Sequence, residues 1–141
     1  MTTLLRFRDD AAHEEPAVTL DAFLDQPEAA AVRLEPGEDA RALLPYLDRL
    51  ALIEIAFPSY RDGRGYSAAR ILREAGYAGE LRAAGDVLVD QVPHMRRCGF
   101  DALAPAAPLD PAAVERALAR YPFVYQGAED ERRPVWALRH G

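Results

Sequence analysis

Apolar residues along this chain fall into two alternating rhythms. Short, nearly unbroken apolar runs read as strands, and stretches with an apolar residue every three or four positions read as helices. Thr3–Phe7 reads as a short strand, followed by a polar loop from Asp9 to Pro16. Leu20–Leu24 reads as a short helix ended by Pro27, and Ala31–Leu34 as a second strand closed by Pro36 and Gly37. Glu38–Leu50 sets Leu43, Leu44, Leu47 and Leu50 on one helical face, with a kink or restart at Pro45. Ala51–Phe57 (ALIEIAF) is the strongest strand signal, and its apolar run suits a strand covered on both faces.

A loop over Pro58–Tyr66 leads to a helix over Ser67–Ala75, whose apolar stripe is Ala68, Ile71, Leu72 and Ala75. Ser67 is the predicted N-cap of that helix and Gly76 its stop. Glu80–Ala84 reads as a strand, and Asp86 as the cap of a helix over Val87–Cys98 that Pro93 kinks or splits. Asp101–Ala104 is the next strand, and Asp110 with Pro111 opens a helix to Arg120. Phe123–Gln126 and Val135–Leu138 are the last strand candidates, joined as a hairpin across Gly127–Pro134. This alternation predicts an α/β fold: successive βαβ units with a mainly parallel sheet flanked by helices. An open sheet is the first expectation and a partial barrel-like sheet the second, because the rhythm does not fix closure. A chain of 141 residues fits one α/β domain.

Composition narrows the chemistry. The net charge is −6, which disfavours nucleic acid and anionic membrane as general partners. No apolar run approaches the length of a membrane helix, and the first ten residues hold no apolar core of signal-peptide length. With one cysteine, Cys98, the chain has no internal disulfide, and the cytoplasm is the expected compartment. Every basic residue apart from histidine is arginine. A lysine Schiff base and a Walker lysine are thereby excluded, and an anion must be held by guanidinium groups or backbone amides.

The candidate chemistry lies between residues 57 and 103. In a parallel sheet the loops after the strands converge on one edge, where helix N-termini offer amides and partial positive charge. The loop after the strongest strand holds Arg61, Asp62, Gly63, Arg64, Gly65 and Tyr66 ahead of Ser67. Two glycines allow close backbone approach, two arginines bring charge, and Arg70 lies one turn into the helix. Arg82, from the following strand, is expected near the same edge. A small oxyanion suits this set. Equally, the arginines read as solvated loop charges paired with Asp62 or Glu80, with the glycines making a turn. The loop is neither a Walker loop nor a dinucleotide fingerprint. Asp86 and Asp90 are spaced to share a helix face, but capping explains Asp86 better than metal binding does. Cys98 beside Arg96 and Arg97 reads as a buried, inert thiol, and His94 has no partner visible in the sequence.

The run DGRGYS at Asp62–Ser67, with LRE at Leu72–Glu74, GY at Gly76 and Tyr77, GELRA at Gly79–Ala83, GDVLVDQ at Gly85–Gln91 and RCGFD at Arg97–Asp101, resembles a bacterial family. It is the domain-of-unknown-function family numbered nine hundred thirty-four. Pro93 departs from the bulky apolar residue expected at its helix position. The resemblance implies an accessory protein of sulfite or sulfate reduction, described in such families as a putative oxidoreductase. It implies sulfite reductase or another sulfur-assimilation enzyme as partner. It supplies no catalytic residues. One cysteine cannot ligate an iron–sulfur cluster and no nicotinamide or flavin motif is present, so no resident cofactor or metal is expected. The remaining alternatives are an oxidoreductase whose cofactor a partner supplies, and a structural adaptor without ligand.

Overall fold

A computed structural model describes residues 4–10, 16–26, 28–59 and 63–120. Strand β1 (Leu5–Arg6) and strand β2 (Val18–Thr19) precede helix α1 (Leu20–Asp25). Then come β3 (Ala31–Leu34), a 3₁₀ helix (Ala40–Arg49), β4 (Leu52–Phe57) and α2 (Arg64–Glu74). The described chain closes with β5 (Glu80–Gly85), a 3₁₀ turn (Val89–Gln91), α3 (Val92–Cys98), β6 (Ala102–Pro105) and α4 (Pro111–Arg120). The two strands expected near the C-terminus lie outside the described residues.

The six strands form one sheet in the order β1-β6-β5-β4-β3-β2. Strands β2 to β6 run parallel in sequence order, and β1 joins β6 antiparallel. β1 and β2 are its two edges, so the sheet is open and the barrel-like alternative is not adopted. Each parallel strand is laid beside its predecessor in the same direction. Right-handed crossovers of that kind stack their helices on one face. The core agrees: Phe23, Leu43, Leu72, Met95 and Val114 from the helical segments meet Leu34, Ile53, Phe57, Leu81 and Leu103 from one face of the strands.

Three local expectations are corrected. The segment after β3 is a 3₁₀ helix, not an α-helix. Pro45 has no N–H to give and crowds the preceding turn, while the threefold repeat still aligns Ala40, Leu43 and Tyr46 inward. Leu44, counted with the apolar face, is exposed as a result. Helix α2 begins at Arg64 with Gly63 as N-cap, so Ser67 is inside the helix rather than its cap. Asp86 caps no helix. The chain runs on to Leu88, makes a 3₁₀ turn, and starts α3 with Pro93 in its first turn, where a missing N–H costs nothing.

The other sheet face is polar at its centre, and there the arginines are used. Register aligns Arg33 with Glu54, Glu54 with Arg82, and both Arg82 and Arg6 with Ala102. Glu35–Arg33 (2.6 Å), Arg33–Glu54 (2.6 Å), Glu54–Arg82 (3.8 Å), Arg82–Glu80 (2.9 Å) and Glu80–Arg6 (2.7 Å) form a continuous chain of ion pairs. It continues through Arg6–Asp10 (2.8 Å), Asp10–Arg8 (2.9 Å), Arg8–Asp101 (2.7 Å) and Asp101–Arg73 (3.0 Å). Ala102 lies between Arg6 and Arg82 in its row, and its single methyl lets Arg6 reach across β6 to Glu80 on β5. Hydrogen bonds from Arg8, then from Arg6, hold the Asp10 carboxyl down to about 2.

Glu80 is 3% exposed and pairs with two guanidinium groups, those of Arg6 and Arg82. Removing one member of a buried pair leaves uncompensated charge. Glu80→Ala should therefore cost about 3 kcal/mol in urea unfolding, whereas Arg33→Ala at the exposed end of the chain should cost less than about 1 kcal/mol. Equal losses for the two variants would contradict the picture of one chain with a buried centre.

Candidate functional site

The C-terminal edge of the sheet carries a cleft of about 200 Å³ between the turn after β3 and the start of α2. Leu34, Ile55, Ala56 and Ile71 form its apolar floor and walls. Its polar rim comes from Glu35, Glu38, Asp39 and Arg41 on one side and Arg64 and Ser67 on the other. Arg64 is the first residue of α2, and its guanidinium reaches across to the facing turn. A Cβ built at Gly37 would stand 3.3 Å from Arg64 Nη1, and Gly37 has φ +89°, so glycine suits both the turn and the arginine above it.

The N-cap of α2 is Gly63, which has no side chain to cap the helix, and the Tyr66 amide donates to the Gly63 carbonyl at 3.2 Å. This helix start carries the positive end of the helix dipole. Each carboxylate of the opposite rim has a local duty. Glu35 accepts from Arg33 Nε at 2.6 Å, Glu38 Oε1 accepts from the Glu35 amide at 2.7 Å, and Asp39 Oδ1 accepts from the Arg41 amide at 2.9 Å. The cleft thus has Arg64 and the start of α2 on one side, and on the other three engaged acids with Arg41, which pairs with Asp39 at 3.6 Å.

The structure separates the residues that sequence grouped together. Arg64, Gly65 and Ser67 line the cleft, while Arg61 and Asp62 lie outside the described residues. Gly65 has a packing duty as well: a Cβ there would meet the Phe57 ring at 2.5 Å, so glycine lets α2 descend onto β4. Tyr66 turns the other way. Its ring packs against Phe57 (centroids 5.3 Å), Phe100 (6.5 Å) and His94 (4.6 Å). Arg70 is exposed on the same side of α2 as Tyr66. Arg82 is not at the edge: it sits within β5 on the opposite face from α2, committed to Glu80 and Glu54. Asp86 follows β5 and its amide donates to the Phe57 carbonyl at 2.7 Å.

Sequence reasoning missed the acidic half of the rim. The signal was present: Glu35, Gly37, Glu38 and Asp39 follow β3 directly, and a parallel neighbour of β4 must bring its following loop to the same edge. It also missed the partner of His94. Cys98 Sγ lies 3.7 Å from His94 Nε2, one helical turn along α3. Burial, then the charges of Arg97 and Arg70, push the His94 pKa down, and burial pushes the Tyr66 hydroxyl up. Among the described residues no group of three or more histidine, cysteine or acidic side chains is arranged to hold a metal ion.

An open α/β sheet with a polarised edge cleft defines the class of protein. Residues 31–136 match the family model described as "Bacterial protein of unknown function (DUF934)", and the chain belongs to that family. No curated protein and no solved structure matches it. Among the described residues no helix is long and apolar enough to cross a membrane.

The contact between Gly65 and Phe57 fixes how closely α2, and with it Arg64, approaches the edge. Gly65→Ala should destabilise the fold by about 1–3 kcal/mol through overpacking. Phe57→Leu in the same chain should return part of that loss despite being costly alone, measured by a double-mutant cycle in thermal or urea unfolding. Strict additivity of the two changes would argue against the contact.

Proposed function

We propose that this protein holds a small oxyanion at the α2 side of the edge cleft, as an accessory protein of sulfite reduction in the cytoplasm. One observation carries the reading: Arg64, Ser67 and the glycine-capped start of α2 share one cleft at the C-terminal edge of a parallel sheet. That edge is where such sheets bind ligands, and a helix start with a guanidinium beside it favours negative charge. Arg64 supplies charge, the first-turn amides supply directed donors, and the Ser67 hydroxyl supplies a further donor. Arg61 is the natural second cation from the same loop. The resemblance of the motif-bearing segment to proteins associated with sulfite reduction supports sulfite as the anion and a sulfur-assimilation enzyme as the partner.

The acidic rim adds a selectivity. Glu35, Glu38 and Asp39 repel a ligand in proportion to its charge, so a singly charged anion is favoured over a dianion. Calorimetric titration with sulfite, sulfate and phosphate tests this. Sulfite, present near neutral pH partly as the singly charged hydrogensulfite, should bind at millimolar concentration and more tightly than the dianion sulfate. Arg64→Ala should weaken it about tenfold, because a hydrogen bond to a charged group is worth about 1.5–3 kcal/mol before solvent exposure is discounted. Folding should be nearly unchanged, since Arg64 is exposed. A parent protein that takes up none of the three anions, or unchanged affinity in the variant, would leave Arg64 as a solvated loop charge.

A further inference from the structure

Charge is distributed unevenly between the layers. Helices α2, α3 and α4 carry Arg64, Arg70, Arg73, Arg96, Arg97, Arg116 and Arg120 against Glu74 and Glu115, in a chain whose net charge is −6. Two of these arginines are turned inward. Arg73 donates to the carbonyls of Gly99, Tyr77 and Gly79, and Arg96 donates to the Phe100 carbonyl and lies over the Phe7 ring. Arg70 and Arg97 are different. Both are exposed, and neither forms an ion pair with a described residue.

They flank one side chain. His94 on α3 packs its ring against Tyr66 of α2, and both Arg70 and Arg97 act on it electrostatically. The groups that face it are Tyr66 and Arg70 from α2 and Cys98 and Arg97 from α3, and no carboxylate is among those that shift it. Tyr66 and Arg70 share one stripe of α2, spaced four apart, while the cleft-lining Arg64, Ser67, Ala68 and Ile71 make another. This surface is separate from the edge cleft.

We propose that Arg70, His94 and Arg97 form a docking site on the α2–α3 face for an acidic segment of a protein partner. Guanidinium groups with no acceptor among the described residues are suited to paired, bidentate binding of carboxylates. A carboxylate seated between them also offsets the repulsion from Arg97 and Arg70, which adds to burial in disfavouring the charged imidazole. Docking therefore draws a proton onto His94, and affinity rises as pH falls. An acidic partner is chosen on charge complementarity: this patch is cationic on a molecule that is otherwise acidic, so it orients a partner that the rest of the surface repels.

The test uses the full chain and a fluorescently labelled oligoglutamate peptide, with anisotropy read at low ionic strength. The parent should bind saturably, and Arg70→Ala/Arg97→Ala should weaken binding about tenfold or more with an unchanged melting midpoint. Should that double variant fail to fold, Arg97→Gln alone should weaken binding severalfold. Affinity should rise severalfold from about pH 8 to about pH 6, and His94→Gln should abolish that rise. Saturating sulfite should leave the peptide bound. No saturable binding by the parent, or parental affinity in the arginine variants, overturns the proposal. Competition by sulfite overturns the separateness of the two sites, and a flat pH response overturns the part given to His94. Tighter binding of duplex DNA or anionic vesicles than of the peptide overturns the choice of a protein partner.

Discussion

The alternating chain of arginines and carboxylates is the constraint on which the rest of this structure depends. It begins at Glu35 beyond the end of β3, crosses β4 and β5, reaches Arg6 on the antiparallel edge strand, and ends at Arg73 in the last turn of α2. Five of its steps, Arg33–Glu54, Glu54–Arg82, Glu80–Arg6, Arg8–Asp101 and Asp101–Arg73, join segments that are distant in sequence. Asp101 shows the economy of the arrangement: one oxygen receives Arg8 and Arg73, and the other receives the Leu81 amide at 2.8 Å. Lysine would serve poorly here, because one ammonium cannot span two carboxylates in the plane of a sheet as a guanidinium does. The absence of lysine from the sequence is therefore matched to a structural use, whatever its genomic origin.

Small residues make that chain possible. Ala31, Ala56, Ala84 and Ala102 lie on the charged face, and their methyl groups leave room for long side chains to lie along the sheet. At the α2 end the same logic uses glycine. Gly99 has φ +109°, and a Cβ there would meet Arg73 Cγ at 2.5 Å, so the turn after α3 must be glycine for Arg73 to reach its carbonyl. Helix α2 is thus held at its C-terminal end by Arg73 and at its N-terminal end by Gly65 on the Phe57 ring. Both ends being fixed, the position of Arg64 over the cleft is set by packing.

The alternation of strands and helices was legible because α/β rhythm survives in short apolar runs. Ala31–Leu34 was read to its ends, and β4, β5, β6 and α4 within a residue or two. Helix starts were less legible. Ser67 and Asp86 are good capping residues in isolation, but packing of Gly65 on Phe57 starts α2 earlier, and Pro93 sets the start of α3. The two-residue strand β2 carries too little pattern to be seen. For the site, sequence brought attention to Arg64 and Ser67, which line the edge cleft, and misplaced Arg82. Strand alternation decides that case: Arg82 aligns with Glu54, and Glu54 is the one charged residue in an otherwise apolar β4, which already marks the face on which both must lie.

That placement has a consequence for where anions can act. An arginine inside a closed chain of ion pairs is already neutralised, and capturing an anion with it would strand a buried carboxylate such as Glu80. The sheet face is therefore chemically occupied although it is rich in arginine. Any cationic group that meets a ligand would have to come from positions outside that chain, such as Arg64 where α2 begins or Arg70 and Arg97 on the outer stripe of α2 and α3. Both depend on one helix. The stripes of α2 that carry Arg64 and Arg70 differ by their helical phase, while Ala69 and Leu72 bury the third side against the core. One short helix thus carries Arg64 at the cleft and Arg70 on its outer stripe, and the packing of that helix on the sheet holds both in fixed relation.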